Sequence, residues 1–246
     1  MVFSTIKELN SIQSVLFKYA RLPFFEDAIP GTIMEAILAY VRNAEVLHTY
    51  DFIDVVKPAS GIGWQVKSTK ESTPVTWKRA KIPDSQNLIE QSRINDEGLQ
   101  TLGNTIIRFC NDHAADSLNK YNIDRIGYSR LILHKNRTIS YFERQLCSRM
   151  LPKVFREEDF TWRWSAPKKT KRKEQLPALH GIHKDTKKKW WAWHGLGENQ
   201  LHFSGEKYWW NAPDTKSKFV FQLPKAEDKI SLEQFFELID SLDTSS

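Results

Sequence analysis

Residues 50–69 read YDFIDVVKPASGIGWQVKST, and this stretch predicts a short β-hairpin. Its two arms, residues 52–57 and 62–68, are rich in the β-branched and aromatic side chains that favour strands. Between the arms stands a Pro-Ala-Ser-Gly sequence, and such residues favour a turn of the chain. The sequence therefore predicts two antiparallel strands joined by a loop at residues 58–61.

The length of this loop decides which side chains of the hairpin share a face. With a loop of four residues, Lys57 pairs with Ile62, and counting back places Asp54 opposite Gln65. Strand side chains alternate between the two faces of a sheet, so Lys67 lies on the same face as these two residues. A carboxylate, an amide and an ammonium group on one face are the groups that a metal-dependent phosphodiesterase requires.

The sequence also allows a second pairing register of the two arms. A loop of three residues would set Asp51 opposite Lys67, and a slip of one residue turns every side chain of an arm to the other face. We favour Asp54 as the acidic residue of the cluster and keep Asp51 as the alternative.

A helix is predicted upstream of the hairpin, over residues 31–47 (GTIMEAILAYVRNAEVL). Glu35 lies in its first two turns. A helix packed against the hairpin would bring this carboxylate to the same cluster as Asp54. The apolar residues that recur at helical spacing are Ile33, Met34, Ile37, Leu38 and Val41.

These residues together carry a resemblance to a known family. The chain has a helix with Gly31 and Glu35, then an aspartate on a strand, then Gln65-Val66-Lys67 on the next strand. This order resembles the core of the PD-(D/E)xK nucleases, and most of all type II restriction endonucleases, over residues 30–145. The sequence departs from the family pattern at Gln65, where a carboxylate is commoner, although Gln-x-Lys variants occur among restriction enzymes and their relatives.

The resemblance implies Mg²⁺-dependent hydrolysis of phosphodiester bonds. Mg²⁺ prefers octahedral oxygen ligands and keeps several waters, so a few protein ligands suffice. Asp54 is then the central ligand and Glu35 the second carboxylate, with the Gln65 side-chain oxygen or the Val66 carbonyl as a neutral ligand. Lys67 is expected to orient the attacking water or to stabilise the charge that builds on phosphorus. The predicted catalytic residues are Asp54, Gln65, Lys67 and Glu35.

The same residues also have an interpretation without catalysis. An aspartate followed at loose spacing by Gln-x-Lys arises by chance in lysine-rich chains, and charged residues on a hairpin commonly form a solvated face. Three features favour the nuclease interpretation: the helix that carries Glu35, the strand character of residues 62–67, and the charge pattern of the chain.

The composition is that of a globular protein, since 40% of the 246 residues are hydrophobic and 27% are charged. This length allows one large domain or a domain with an appended lobe. No apolar run approaches a membrane span, and residues 1–20 predict an amphipathic helix rather than a signal peptide, so we expect a cytoplasmic protein. Cys110 and Cys147 lie far apart, and we expect buried thiols in a reducing compartment.

Positive charge is concentrated in residues 167–189. This stretch holds nine Lys and Arg residues against Glu174 and Asp185, so it is more positive than the whole chain, whose net charge is +6. Clustered Lys and Arg side chains neutralise phosphates and release counterions, which supplies most non-specific affinity for DNA. We therefore expect DNA contact here, and the alternative is a disordered, solubilising lysine loop.

The aromatic segment that follows, residues 189–223, contains five of the nine tryptophans. We predict several short antiparallel strands whose aromatic side chains pack in the core, because a duplex hides the base faces on which they would stack. Polar side chains of this segment are predicted to reach base edges or phosphates from loops, with Asn199 and Gln200 reading adenine.

Lysine and arginine residues just after the hairpin are expected to grip the phosphates that flank the scissile bond. Together with the basic stretch and the polar residues of the aromatic segment, they complete the predicted DNA interface. The residues predicted to contact DNA are Lys70, Lys78, Arg79, Lys168, Lys169, Lys171, Arg172, Lys173, Lys187, Lys188, Lys189, Asn199, Gln200, His202, Ser204, Glu206 and Lys207.

The remaining sequence predicts the scaffold. Residues 98–121 predict a long core helix, and residues 126–133 and 138–144 predict two strands that extend the sheet of the hairpin. Residues 227–242 predict a closing amphipathic helix. Its N-cap is Asp228 or Ser231, and its apolar face comprises Leu232, Phe235, Phe236 and Ile239.

The expected fold class is α/β. Residues 1–165 are expected to form N-terminal helices and a restriction-endonuclease-like mixed sheet core flanked by helices. Residues 166–246 are expected to form a basic, Trp-rich β part that contacts DNA, with the closing helix. The lysine stretch between them is the best place for a lobe boundary, within one integrated domain.

The expected function is that of a Mg²⁺-dependent, sequence-specific double-stranded DNA endonuclease of the type II restriction kind. One alternative is a DNA-repair or structure-selective nuclease, and another is a non-catalytic nucleic-acid-binding protein that uses the basic stretch and the aromatic residues. A homodimer is expected because a palindromic target mirrors a two-fold axis, with a monomer as the alternative. No membrane partner is expected.

Overall fold

The computed structural model describes residues 1–169 and 174–243, which form a mixed α/β fold. The α/β class predicted from the sequence is therefore confirmed. The helices of this part of the chain are α1 (Ile6–Ala20), α2 (Gly31–Arg42), α3 (Ser85–Gln91), α4 (Asp96–Lys120) and α5 (Leu232–Asp243). Its strands are β1 (Glu45–Val46), β2 (Val55–Lys57), β3 (Ile62–Lys70), β4 (Val75–Arg79), β5 (Arg125–Leu133), β6 (Thr138–Ser148), β7 (Phe160–Trp164), β8 (Lys168–Lys169), β9 (Glu174–Gln175), β10 (Leu179–His183), β11 (Lys189–Trp193), β12 (Gln200–Phe203) and β13 (Thr215–Gln222).

The first sheet has six strands in the order β1-β2-β3-β5-β6-β13. β3 and β5 run parallel, and the other neighbouring pairs are antiparallel. Parallel neighbours need a long crossover connection, and α4 lies in the one between β3 and β5. One face of the sheet packs against α4, and the other packs against α1 and α2. The predicted core helix and the two strands that extend the sheet of the hairpin are confirmed.

The hairpin has the register predicted from its sequence. Lys57 pairs with Ile62 across the loop. Pro58–Ser60 form a 3-10 turn, and Gly61 closes it with φ of 61°, a left-handed conformation that glycine adopts without strain. The four-residue loop is therefore confirmed, and the alternative loop of three residues is wrong.

Helix α2 is shorter than the predicted helix over residues 31–47. Arg42 is its last residue, and Asn43 caps it in a left-handed conformation with φ of 49°. Asparagine is one of the few residues besides glycine that tolerate this conformation at a helix end. The residues after the cap form β1, which pairs with β2. The first half of the helix, which carries Glu35, is as predicted.

The second sheet has five antiparallel strands in the order β4-β12-β11-β10-β7. The short strands predicted in the aromatic segment are confirmed, and Trp191 and Trp193 are buried in the core as predicted. The strand β4 is not predicted from the sequence, because residues 75–79 follow a proline in a basic segment that is typical of a connecting loop. Val75 and Trp77 nevertheless alternate with polar residues and are buried.

The two sheets pack through one aromatic core. Trp77 of the second sheet lies at its centre, with the ring centroid of Phe203 at 5.0 Å, that of Trp191 at 5.7 Å and that of Tyr128 in the first sheet at 5.8 Å. The predicted boundary between residues 165 and 166 does not separate the sheets. β4 and β7, which precede it, belong to the second sheet, whereas β13 belongs to the first.

Helix α5 forms at the predicted place, and the Ser231 hydroxyl accepts from the Gln234 N–H as its N-cap. Of the predicted apolar face, Phe235 packs edge-on against Phe24, with ring centroids 5.0 Å apart. The other three residues of this face are exposed: Leu232, Phe236 and Ile239. The expectation that this face closes the core is therefore wrong.

The two cysteines are buried free thiols, as the sequence predicts. Burial raises the pKa of the Cys147 thiol to about 12, so this thiol stays protonated at neutral pH. Among the helices of the described residues, none combines the length and the apolar character needed to cross a membrane.

Candidate active site

The candidate active site lies at an open edge of β3. β2 pairs with β3 only as far as Val55, which lies opposite Trp64. Beyond this pair the Val66 N–H donates to the Asp54 carboxylate at 2.7 Å, in place of a strand neighbour. The Asp54 N–H in turn donates to the Trp64 carbonyl at 2.8 Å. The main chain of β3 therefore positions Asp54 at both its backbone and its side chain.

Lys67 reaches the same carboxylate. Its Nζ lies 3.7 Å from Asp54 Oδ2, and the two side chains are 19% and 20% exposed. This distance is longer than a hydrogen bond, so the two charges attract each other without using their hydrogen-bonding capacity on one another. The predicted neighbours Asp54 and Lys67 are thus brought together, and both keep room for a ligand.

Gln65 follows Trp64, the last residue of β3 that pairs with β2, and it is only 1% exposed. The predicted pairing of Asp54 with Gln65 does not form, because the ladder ends at Val55 and the Asp54 N–H donates to the Trp64 carbonyl. The Gln65 side-chain oxygen is buried and has no hydrogen-bond partner within the described residues. An unpaired buried acceptor costs about 1–3 kcal/mol and is therefore uncommon in proteins. Gln65 lies two residues before Lys67 on β3, so the two side chains share a face of the sheet. A buried oxygen without a donor on that face is suited to bind a cation.

Glu35 approaches this edge from α2, which packs against β2 and β3. Partial burial raises the pKa of the Glu35 carboxyl, and the nearby negative charge of Asp54 raises it further. The positive charge of Lys67 acts in the opposite direction on the same pKa. Glu35 thus lies within electrostatic range of Asp54 and Lys67.

The main-chain carbonyl of Val66 completes the set of oxygens. The N–H and C=O groups of one strand residue point toward the same neighbouring strand. Because the Val66 N–H points to the open edge, where it holds Asp54, the Val66 carbonyl faces that edge too. The edge therefore presents neutral oxygens beside the carboxylates.

These groups fit a Mg²⁺ ion, which takes oxygen ligands and retains several waters. No three His, Cys, Asp or Glu side chains in residues 1–169 and 174–243 come close enough together to hold a metal ion. The carboxylates predicted to hold the ion are Asp54 and Glu35. The Gln65 oxygen and the Val66 carbonyl are the predicted neutral ligands.

Asp51, the alternative acid, is engaged elsewhere. Its carboxylate accepts from Lys120 Nζ at 2.7 Å and from the Tyr121 hydroxyl. These hydrogen bonds lower the pKa of Asp51 to about 2. Asp51 therefore fixes the segment before β2 to the end of α4, and it does not replace Asp54 beside Lys67.

The sequence predicts a DNA contact at Lys78 and no role for His113, and the charges of Asp51 and Lys67 act on Lys78. Burial lowers the pKa of Lys78 on β4, the Asp51 carboxylate raises it, and the Lys67 ammonium lowers it. Burial and then the Lys78 ammonium lower the pKa of His113 on α4. His113 lies within a helix predicted as core, so the only signal in the sequence is its polar neighbours Asp112 and Asp116.

The basic residues predicted to contact DNA lie in several places. Lys70 and Arg79 are exposed at the ends of β3 and β4, and Lys78 is half-buried. The lysines before and at the start of β11, which are Lys187, Lys188 and Lys189, are exposed. Lys168 and Lys169 form β8. Lys171, Arg172 and Lys173 lie outside the described residues.

The polar residues predicted to read bases lie around β12. Gln200 and His202 belong to the strand itself rather than to a loop, and Asn199 precedes it. Ser204 follows the strand, and Lys207 is exposed in the 3-10 turn after it.

Glu206 in this turn departs from the prediction. Its carboxylate is buried, accepting from Arg130 at 2.8 and 3.0 Å and from the Tyr128 hydroxyl at 2.8 Å. The expectation that Glu206 reaches DNA from an exposed loop is therefore wrong, because a buried arginine occupies both of its oxygens.

The structure thus brings Asp54 and Lys67 together at one edge, with Gln65 on the same strand as Lys67 and Glu35 within electrostatic range on α2. It places Asp51 and Glu206 in other interactions. Comparisons with protein-family models, with curated proteins and with solved structures find no match to this chain.

Proposed function

We propose that this protein is a Mg²⁺-dependent endonuclease that hydrolyses phosphodiester bonds of double-stranded DNA. The observation that carries the proposal is the open edge of β3, where Asp54 and Lys67 meet beside the unpartnered Gln65 oxygen. Glu35 adds a second carboxylate from α2. On a solvated hairpin face, all of these groups would be exposed to water. Here the Gln65 oxygen is buried without a donor among the described residues, and the Asp54 and Glu35 carboxylates repel each other.

Each residue has a role that follows from its chemistry. Asp54 and Glu35 would hold the ion, with the Gln65 oxygen or the Val66 carbonyl as a neutral ligand. Bound Mg²⁺ polarises a phosphate and lowers the pKa of a coordinated water. Lys67, which is held near Asp54, would orient the attacking water or stabilise the charge that develops on the phosphate oxygens. Because Gln65 brings no charge, Glu35 matters more than it would beside a Glu-x-Lys sequence.

Charge supports DNA as the substrate. The chain carries a net charge of +6, and its basic residues are concentrated in residues 167–189. Lys70 and Arg79 are exposed at the ends of β3 and β4. Such side chains bind phosphates without regard to sequence, and they would hold a duplex against the open edge of β3.

The finer part of the proposal is site-specific cleavage of the type II restriction kind by a homodimer. Its support is the order of the elements: a helix with Glu35, then Asp54, then Gln65 and Lys67 on the next strand. This is the order on which the resemblance to PD-(D/E)xK nucleases depends. In this proposal the first sheet and its flanking helices are a restriction-endonuclease-like core.

Incubation of the protein with plasmid DNA tests the proposal. Wild type is expected to give discrete fragments with Mg²⁺ and none with EDTA. Asp54→Asn should retard DNA as wild type does but cleave it at least about 100-fold more slowly. Asp240→Asn, which changes an exposed aspartate of α5, serves as the matched control and should cleave like wild type.

The pattern of products separates the alternatives. A smear of fragments would reject site-specific cleavage in favour of a repair or non-specific nuclease. DNA that is retarded but intact with both Mg²⁺ and Mn²⁺ would reject the nuclease and leave a binding protein.

A further inference from the structure

A cavity of about 660 Å³ opens on the face of the second sheet that points away from the aromatic core. Its floor contains His180 of β10, Ala192 of β11 and His202 of β12, which are direct neighbours across the strands. The small Ala192 side chain leaves space between the two imidazoles. His194 lies two residues further along β11 on the same face, with its ring centroid 5.2 Å from that of His202.

The floor of this cavity is polar, because His180, His194 and His202 line it. Burial lowers the pKa of His194, and burial together with the neighbouring His194 lowers the pKa of His202. A neutral imidazole offers one hydrogen-bond donor and one acceptor. The Nδ1 atom of His202 is buried and has no partner among the described residues. The floor can therefore make directional hydrogen bonds to an uncharged polar ligand group.

The rim of the cavity is cationic. Lys188, Lys189 and Lys207 line it. Of the two acids that also line it, Glu71 is bonded to His134 at 2.8 Å and Glu206 to Arg130 at 2.8 Å. The Glu206 charge is thus engaged inside the fold, whereas Glu71 is exposed and is outnumbered by the three lysines. Lysine ammonium groups bind phosphate as point charges, so the rim is suited to a phosphorylated ligand.

An aromatic wall stands beside the rim. Tyr208 lines the cavity, and its ring stacks on that of Trp190, with centroids 5.6 Å apart and planes inclined by 11°. Tyr208 is 40% exposed, so one face of a rigidly held ring is accessible. Such rings are stacking platforms for nucleic acid bases, which all have a flat π-face.

We propose that this cavity binds a single nucleotide, with its base over the imidazole floor and beside Tyr208, and its phosphate among the lysines of the rim. A volume of about 660 Å³ is within the ordinary range for pockets that bind small ligands. The nucleotide comes either from an unpaired position of a DNA strand or from a free mononucleotide. The first source rests on the proposed function, and the second does not.

The cavity lies near the candidate active site along one strand. Its wall is formed by the turn after β3, which begins at Glu71, five residues beyond Val66. At about 3.3 Å per strand residue, this is about 17 Å, or about five base-pair steps of DNA. A duplex cut at the open edge of β3 would therefore pass the cavity within half a helical turn.

Nucleotide binding is measured with EDTA present, so that no cleavage occurs. Isothermal titration calorimetry of the full chain with each of the four deoxynucleoside 5′-monophosphates, with inorganic phosphate and with a single-stranded hexanucleotide gives the affinities. Wild type is expected to bind at least one monophosphate or the hexanucleotide more tightly than phosphate, and to distinguish the bases.

Variants assign the binding to the cavity. His202→Ala should reduce the difference in affinity between the preferred base and the others by about 5- to 10-fold, because it removes a hydrogen bond. The double variant Lys188→Ser and Lys207→Ser should weaken every phosphorylated probe by about 10-fold. Lys153→Ser, at an exposed lysine distant in sequence, is the matched control and should bind as wild type does.

The outcomes are distinguishable from those of the cleavage assay. If the cavity variants weaken binding of the hexanucleotide and no monophosphate binds, the nucleotide comes from a DNA strand. If a monophosphate binds as tightly as the hexanucleotide, the ligand is a free nucleotide. The proposal is overturned if no probe binds wild type, or if His202→Ala and the double variant bind as wild type does. A protein that binds nucleotides in the cavity but leaves plasmid DNA intact would retain this site and reject the nuclease.

Discussion

Two cations stand side by side on the face of the first sheet that is turned toward the second, and their surroundings are opposite. Lys67 of β3 and Arg130 of β5 are partners in the parallel register. Arg130 is buried and donates to both oxygens of Glu206, at 2.8 and 3.0 Å. Lys67 is partly exposed and lies 3.7 Å from Asp54 without a hydrogen bond between them.

The difference separates a structural ion pair from a candidate catalytic one. The Arg130 pair is complete, since Thr69 and Tyr128 bond to its two members. On the same strand as Lys67, in contrast, the Gln65 oxygen is buried without a donor among the residues that the structure describes. The hydrogen bonds of the Arg130–Glu206 pair are all made within the protein, so this pair serves the fold. The Gln65 oxygen still lacks a partner among those residues, so a bound ligand would stabilise it. Completeness of hydrogen bonding, rather than the presence of charge, therefore distinguishes the two sites.

Removal of Arg130 is expected to have the largest effect on stability. Arg130→Met leaves the Glu206 carboxylate buried without its cation, which should lower the free energy of unfolding by about 3–5 kcal/mol. Lys67→Met should lower it by less than about 1 kcal/mol, because that pair is loose and partly solvated. Urea unfolding followed by tryptophan fluorescence measures both.

Arg156→Met is the matched control for this comparison, since Arg156 is 67% exposed in its ion pair with Asp159. It should change the free energy of unfolding by less than about 1 kcal/mol. Equal losses in the Arg130 and Lys67 variants would contradict the distinction between the two pairs.

Gln65→Met is expected to change the free energy of unfolding by less than Arg130→Met does, and to raise it rather than lower it. It replaces an unpaired buried amide with an apolar side chain of similar length, which should raise the free energy of unfolding in EDTA by about 1–3 kcal/mol. The same change removes a candidate ligand, so added Mg²⁺ should stabilise the variant less than wild type. Thermal unfolding with and without Mg²⁺ measures both effects.

Gln86→Met, at an exposed position of α3, is the control and should leave both measurements unchanged. A destabilised Gln65→Met variant would show that the amide makes structural hydrogen bonds, and it would remove Gln65 from the candidate site.

Glu35→Gln is expected to have the smallest effect on stability. The pKa of Glu35 is raised above its ordinary value by burial and by Asp54, so ionisation of this carboxyl destabilises the fold as pH rises. In EDTA at neutral pH the variant should therefore be more stable than wild type, by about 0.5 kcal/mol or about 1–2 °C in Tm. The gain should vanish below about pH 4, where the carboxyl is protonated in both the folded and unfolded states.

The same variant should lose most Mg²⁺-dependent cleavage while it still binds DNA. Thermal unfolding at several pH values and the plasmid assay measure these effects, with Glu90→Gln on α3 as the exposed control. Cleavage at the wild-type rate by Glu35→Gln would remove Glu35 from the site.

The parts of the site that the sequence predicts are those set by local geometry. The loop at residues 58–61 fixes the pairing of Lys57 with Ile62, and the alternation of strand side chains then places Gln65 and Lys67 on one face of β3. Helical spacing predicts α2, so Glu35 can be expected near a hairpin that follows closely in the chain.

The parts that the sequence does not predict depend on residues far apart in the chain. Glu206 looks like an exposed turn residue because its partner Arg130 lies 76 positions away. The strand β4 is short and basic, and only its pairing with β12 shows that it belongs to a sheet. The spacing of apolar residues in α5 predicts an amphipathic helix, but it does not show whether another element covers that face.

The order in which the chain visits its two sheets has a consequence for synthesis and truncation. The chain leaves the first sheet after β3, returns for β5 and β6, builds the rest of the second sheet, and only then adds β13 beside β6. During translation β6 therefore carries an unpaired edge until residues 215–222 emerge from the ribosome, and such edges favour association between nascent chains. Fragments that stop before Thr215 would keep that edge permanently, so aggregation rather than a folded half is the expected product.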